Sequence, residues 1–195
     1  MPRKIVVIEG HPDPSDQRLC HALADAYAEG AGAAGHAIRR IRIAVLDVPP
    51  IRSAADWRNG TVPDSLQPSQ QALAWADHIV LVYPLWLGTL PALTKAWLEQ
   101  VLRPGFAMDA PRQGLRWRKR LTGKSARVVV TMGMPALAYR WLFFAHSLKA
   151  LERNILKFCG IGPIRTSLVG GAESMDDAAR RRWLARLRQH GERGD

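Results

Sequence analysis

The sequence has only two cysteines, Cys20 and Cys159, among 195 residues. They form no CxxC pair, and no secretory leader opens the chain, so a reduced, cytoplasmic protein is expected rather than a disulfide-stapled one. No group of His, Cys, Asp and Glu has the spacing of metal ligands, so no metal is expected. G-x-G-x-x-G, the Walker loop and G-x-S-x-G are all missing, which removes two nucleotide-binding signatures and the serine elbow of acyl transfer. No repeat or low-complexity linker divides the chain. The longest apolar stretch, around Val128 to Ala145, is interrupted by Gly133, Pro135 and Arg140 and does not read as a membrane span. Acidic residues are scarce, 17 Asp and Glu against 28 Lys and Arg, for a net charge of +11. That balance favours anionic partners. The basic runs Arg112–Lys124 and Arg180–Arg188 read as solvated faces. They carry no stacking motif or nucleic-acid fold signature, so nucleic acid is not expected as a partner.

What is present is an alternation of strand-like and helix-like segments. With 47% hydrophobic residues, 195 residues suit one domain, taken here as 1–195. Lys4 to Ile8 is a continuous apolar run, the mark of a strand buried on both faces. A helix is expected over about Gln17 to Ala34, capped by Ser15 or Asp16. His36 to Ile43 reads as a strand with one charged face, and 44–63 as a long irregular connection. A helix follows over Ser65 to Ala76, then a strand over Ile79 to Tyr83, then a helix over Leu93 to Val101. Phe106 to Gly123 reads as an irregular, basic insertion. Ser125 to Thr131 is the next strand, Tyr139 to Phe158 a continuous helix, and Ile164 to Val169 a last strand. Ser174 with Asp177 reads as a capping box for a final helix to about Gln189. This order predicts an α/β domain with a largely parallel five-stranded sheet and right-handed crossovers.

In such a sheet, the loops after the strand C-termini lie side by side and line any ligand pocket. Three are singled out: Gly10 to Arg18, Pro84 to Leu90, and Thr131 to Pro135. The first leads into a helix N-terminus, a natural phosphate site, with Arg18, His11 and Ser15 able to assist. It also reads as a rigid turn and nothing more. The second carries Leu85, Trp86, Leu87 and Leu90, which have no reason to face water unless a flat apolar partner covers them. Cys20 lies early in a helix, where a thiolate is stabilised, but a lone cysteine there reads as packing. These features suit chemistry supplied by a bound redox cofactor.

The motifs Gly10-His-Pro-Asp-Pro14, Tyr83-Pro-Leu-Trp-Leu-Gly-Thr-Leu-Pro-Ala-Leu-Thr-Lys-Ala-Trp97, Arg103-Pro-Gly-Phe106, Thr131-Met-Gly-Met134 and Phe158-Cys-Gly-Ile161 resemble those of the flavodoxin-like NAD(P)H:quinone oxidoreductase family, which includes ancillary proteins of potassium-efflux systems. The resemblance covers nearly the whole chain. It implies a flavodoxin-like three-layer sandwich, a five-stranded parallel sheet of order 2-1-3-4-5 with helices on both faces, and a homodimer. It implies FMN or FAD held without covalent bonds, NAD(P)H as reductant, and a quinone-like acceptor served by two-electron ping-pong hydride transfer. It places His11, Arg18, Leu19 and Cys20 on the flavin phosphate side, and Pro84, Leu85, Trp86, Leu87 and Gly88 around the ring. It places Thr131, Met132, Gly133 and Met134 at the ring's other edge. Tyr139 matches the family's active-site tyrosine, and His146 lies one residue from its histidine. Tyr139 also reads as an ordinary amphipathic-helix residue. The alternative function implied is a flavin-binding regulatory subunit of a membrane potassium-efflux transporter. The sequence departs from the family in two places. Arg18-Leu-Cys20 stands where Ser-Phe-Asn is common, and Met-Gly-Met replaces Thr-Gly-Gly after the fourth strand.

Overall fold

A computed structural model describes residues 1–109 and 117–195. Five parallel strands form the sheet: β1 (Lys4–Glu9), β2 (Ala37–Arg42), β3 (His78–Pro84), β4 (Ser125–Thr131) and β5 (Ile164–Val169), in the order β2-β1-β3-β4-β5. This is the expected flavodoxin-like topology. Every residue of β3 is buried, and so are five of six in β1, because helices cover both faces there. The edge strand β2 instead leaves Arg39 and Arg40 outside, as its charged face predicts.

The helices are α1 (Leu19–Ala33), α2 (Ala54–Asn59), α3 (Gln67–Trp75), α4 (Ala92–Val101), α5 (Ala136–Trp141), α6 (His146–Ala150), α7 (Lys157–Cys159) and α8 (Asp177–Arg193); a π-helical turn, Leu151–Leu156, joins α6 to α7. One core lies on the sheet face carrying Val6, Ile8, Ile79, Leu81 and Val128, with Trp97 of α4 fully buried in it. The other carries Ile5, Val7, Val80, Val82 and Val129 against α1 and α8. The alternation along each strand assigns neighbours to opposite faces, so both cores follow from period-two patterning.

α1 and α8 lie in very close contact. A methyl group on Gly30 would sit 2.1 Å from the Arg188 carbonyl oxygen, and one on Gly191 2.0 Å from that of Tyr27. Only glycine permits this approach.

Four local expectations need correction. α1 starts at Leu19, and neither Ser15 nor Asp16 caps it; Ser15 Oγ accepts from the Gln17 amide at 3.4 Å and Asp16 Oδ1 from Arg42 at 2.6 Å, so these side chains shape the loop. The connection 44–63 contains α2, capped by Ser53, whose Oγ accepts from the Asp56 amide at 3.0 Å. The short Ser53-x-x-Asp56 signature escapes a search for apolar period. The final helix is capped by Asp176, which accepts from the Ala179 amide, and not by Ser174. The expected helix Tyr139–Phe158 is broken: Phe144 and Ala145 adopt φ of 50° and 48°, a left-handed turn that no helix accommodates. Tyr139 stabilises the break, because its Oη accepts the Leu148 amide at 3.2 Å and lies 2.7 Å from Ser147 Oγ. It thus satisfies an orphan N–H in the first turn of α6.

The basic insertion Phe106–Gly123 contains a two-residue antiparallel pair, Met108–Asp109 with Arg118–Lys119. Its central part, 110–116, lies outside the described residues. Among the described ones, Arg118 and Arg120 pair with Asp109 at 3.1 Å, and Lys124 donates to the Ala74 and Ala76 carbonyls. No described helix is long and apolar enough to cross a membrane.

Candidate cofactor pocket

The C-terminal ends of β1, β3 and β4 open onto a cavity of about 510 Å³, a size suited to a small-molecule ligand. Of the expected residues, it is lined by His11, Arg18, Leu19, Cys20, Pro84, Leu85, Trp86, Thr131, Met132 and Gly133. All three singled-out loops therefore meet. Leu87, Gly88 and Met134 belong to those loops but not to the cavity wall. Tyr139 is buried, with its hydroxyl committed to α6, and His146 is exposed beside Phe144; neither lines the cavity. The wall also includes Asp13, Gln17, Ala22, Ala172, Glu173 and Arg180. The last three come from the segment after β5, which was left out of the expected set. The rule that picked the other loops applies there equally, and Arg180 in the first turn of the next helix was its visible signal.

The first loop is held from below. Gly10 donates to Val82 O at 2.7 Å, and its carbonyl accepts from Thr94 Oγ1 at 2.6 Å. A side chain at position 10 would meet Tyr83 at 3.0 Å, so glycine lets β1 pass close to β3. His21, 2% exposed, sits with Nδ1 2.6 Å from Glu9 Oε2 and donates from Nε2 to the Asp13 carbonyl at 3.0 Å. Glu9 also accepts from Arg40. His11 Nδ1 accepts the Asp13 amide at 3.0 Å, so its neutral ring carries the proton on Nε2. Burial first, then the neighbouring His21, lowers the His11 pKa and favours that neutral form. Arg18 grips Asp13 with NH2 at 2.5 Å and Nε at 2.7 Å. The Ser15 amide and Arg18 hold the Asp13 carboxyl below its usual pKa.

Donors remain. The amides of Leu19 and Cys20 have no hydrogen-bond partner among the described residues, as expected for the first turn of a helix. In the loop after β4, Met132 N is taken by Val169 O, whereas the amides of Gly133 and Met134 have no partner among the described residues. Cys20 is no nucleophile here. Burial pushes its thiol up to about 12, and its Sγ lies 3.2 Å from Thr131 Oγ1. No described group of His, Cys, Asp and Glu could hold a metal ion.

The apolar wall is built on a tight turn. Trp86 and Thr89 exchange backbone hydrogen bonds of 2.9 and 3.0 Å across Leu87 and Gly88, with φ of 45° and 78° at those two positions. Positive φ at both central residues is the pattern of a type I′ turn. Trp86 is 48% exposed and meets His11 edge-on, at 5.6 Å between ring centroids. Leu87 is fully exposed.

Residues 3–191 match the Flavodoxin_2 family, described as a flavodoxin-like fold. The chain belongs to the Flavodoxin_2 family. Among curated relatives of this Flavodoxin_2 chain, an uncharacterized NAD(P)H oxidoreductase of Haemophilus influenzae is 32% identical over 130 residues, which is 65% of the chain and 62% of that protein. A ribosyldihydronicotinamide dehydrogenase [quinone] of Pongo abelii is 27% identical over 133 residues, 66% of the chain and 57% of that protein. The aligned part is thus about three-fifths of the length of these relatives. Among solved structures, an NAD(P)H:quinone oxidoreductase of Methanothermobacter marburgensis superposes with a TM-score of 0.82 at 20% identity and covers 100% of both chains. At that identity it bears on the fold alone.

Proposed function

We propose that the chain is a single flavin-binding domain over residues 1–195 that carries two electrons, in ping-pong fashion, from NAD(P)H to a quinone-like acceptor. The observation that carries this reading is a cavity with two dissimilar kinds of wall: one offers amides at a helix start that have no partner among the described residues, and the other is apolar and aromatic. A ring system with a phosphorylated tail suits both, which FMN and FAD share. The names of the curated relatives support the reductant and the acceptor. They also favour the enzyme over the transporter-subunit reading.

A bound flavin supplies a ring that takes up a hydride and passes two electrons on. The residues supply the rest. The amides of Leu19 and Cys20, backed by the dipole of α1, would hold the phosphate. Pro84, Leu85 and Trp86 would cover the ring and keep water from it, with Leu87 and Gly88 shaping the turn that carries Trp86. The amides of Gly133 and Met134, in the loop after β4, would donate to negative charge developing on the ring, at fixed positions that cost no reorganisation. Tyr139 and His146 are carried as acceptor-side residues by resemblance. If Tyr139→Phe lowers stability and leaves turnover intact, Tyr139 is a support of α6 only.

Two further parts of the reading have physical support. Leu137, Trp141, Leu142, Phe143 and Phe144 are 54–74% exposed, an apolar face that a second copy would cover in a homodimer. Sedimentation velocity tests this. Both cysteines are free and buried, which suits the cytoplasm. The cofactor itself is tested by the absorption spectrum of the purified protein after incubation with FMN or FAD. A protein that retains neither overturns the proposal, and retention should be followed by quinone-dependent oxidation of NAD(P)H.

A further inference from the structure

The cavity is lined by two guanidiniums, Arg18 and Arg180. They are not equivalent. Arg18 is bound to Asp13 through two nitrogens, at 2.5 and 2.7 Å, so its charge is compensated and its geometry spent on the loop. Arg180 is exposed and has no acidic partner among the described residues. It stands in the first turn of α8, where its amide donates to Asp176 O at 3.0 Å. The glycine contacts Gly30–Arg188 and Gly191–Tyr27 press α8 against α1, and Leu187 is buried in the cluster that holds Cys20 and Leu23. That packing brings the opening turns of both helices to one cavity. Glu173, from the same segment after β5, lies beside Gly133, where a side chain on Gly133 would meet it at 3.3 Å.

We infer that Arg180, rather than Arg18, is the side chain that meets the flavin phosphate, while Arg18 is a positioning residue that braces the loop before α1. This rests on the flavin reading above. It makes the α1–α8 contact a determinant of cofactor affinity, although most of that contact lies outside the cavity.

The test compares FMN with riboflavin, which differ by the phosphate alone, by titrating flavin fluorescence against wild type, Arg180→Gln, Arg180→Lys and Arg18→Gln. Arg180→Gln should weaken FMN about tenfold, as for loss of a charge-assisted hydrogen bond, and leave riboflavin unchanged. Arg180→Lys should restore part of the FMN affinity. Arg18→Gln should weaken both ligands by a similar factor. Unchanged FMN affinity in Arg180→Gln, or equal loss of both ligands, overturns the assignment while the flavin reading stands. Wild type that binds neither ligand overturns the flavin reading and the assignment together.

Discussion

The two ends of the sheet are built from similar residues and treat them differently. At the end where the strands start, Arg3 donates to Ser125 Oγ and Gly194 O, His78 Nδ1 lies 2.8 Å from Ser125 Oγ, and Arg127 and Arg165 close on Asp195. Guanidiniums there meet carboxylate, carbonyl or hydroxyl oxygens of the same chain. At the end where the strands finish, Arg18 is tied, but Arg180 and four backbone amides have no partner among the described residues. Both ends have cavities, of about 250 and 510 Å³. The closed end is not fully paired either, since His78 Nε2 has no partner among the described residues; what sets the open end apart is donors left unused together, at a helix start and in the loop after β4.

Several changes should sharpen or break that contrast. The largest effect of a single substitution is expected where packing is tightest. Gly30→Ala places a methyl 2.1 Å from a backbone oxygen, which must move; a loss of about 3 kcal/mol in urea unfolding is expected. A loss under ~1 kcal/mol would mean that α1 and α8 can separate cheaply.

Acid should act next, at the closed end. His78 is 1% exposed and burial pushes its pKa down to about 3, against 6.5 for an exposed histidine. Between those values the unfolded chain binds one more proton than the folded one. The His78 contribution is therefore complete above pH 6.5 and is lost as the pH falls towards 3, by about 1.4 kcal/mol per pH unit. Unfolding curves at several pH values should show this slope in wild type and lose it in His78→Asn. An unchanged slope would remove His78 as its source.

At the open end, Trp86→Ala should cost little stability, since the side chain is half exposed. It should weaken FMN by about tenfold if the ring stacks there, worth ~1.4 kcal/mol. A drop in melting temperature with unchanged FMN affinity would make Trp86 a structural residue.

The smallest effect has the opposite sign. Leu87 holds φ of +45°, a conformation costing about 1 kcal/mol for such a side chain. Leu87→Asn should stabilise the protein by up to that amount and should not improve ligand binding.

Most of the fold was legible because buried parallel strands are written as apolar β-branched runs. Val128-Val-Val130 and Ile5-Val-Val-Ile8 are hard to read otherwise. The charged face of β2 announced an edge. The pocket's wall was legible from loops that break those runs, Trp86 above all. The break at Phe144 and Ala145 was not, because it is stabilised by Tyr139 bonding across to α6, a tertiary contact with no local sign. Arg180 was missed for a different reason: it stands at the head of a basic run that reads as solvent-facing, although its place in the first turn of the helix after the last strand marked it for the cavity.

The turn at Leu87 and Gly88 has a consequence for any effort to improve this protein by selection. A library screened for heat resistance should favour asparagine or glycine at position 87, since either suits the backbone better than leucine does. Such a screen would reward losing the side chain that stands fully exposed beside Trp86. If leucine returns when the same library is screened for flavin retention, the residue is kept at the expense of robustness, and the two selections will pull the chain in opposite directions.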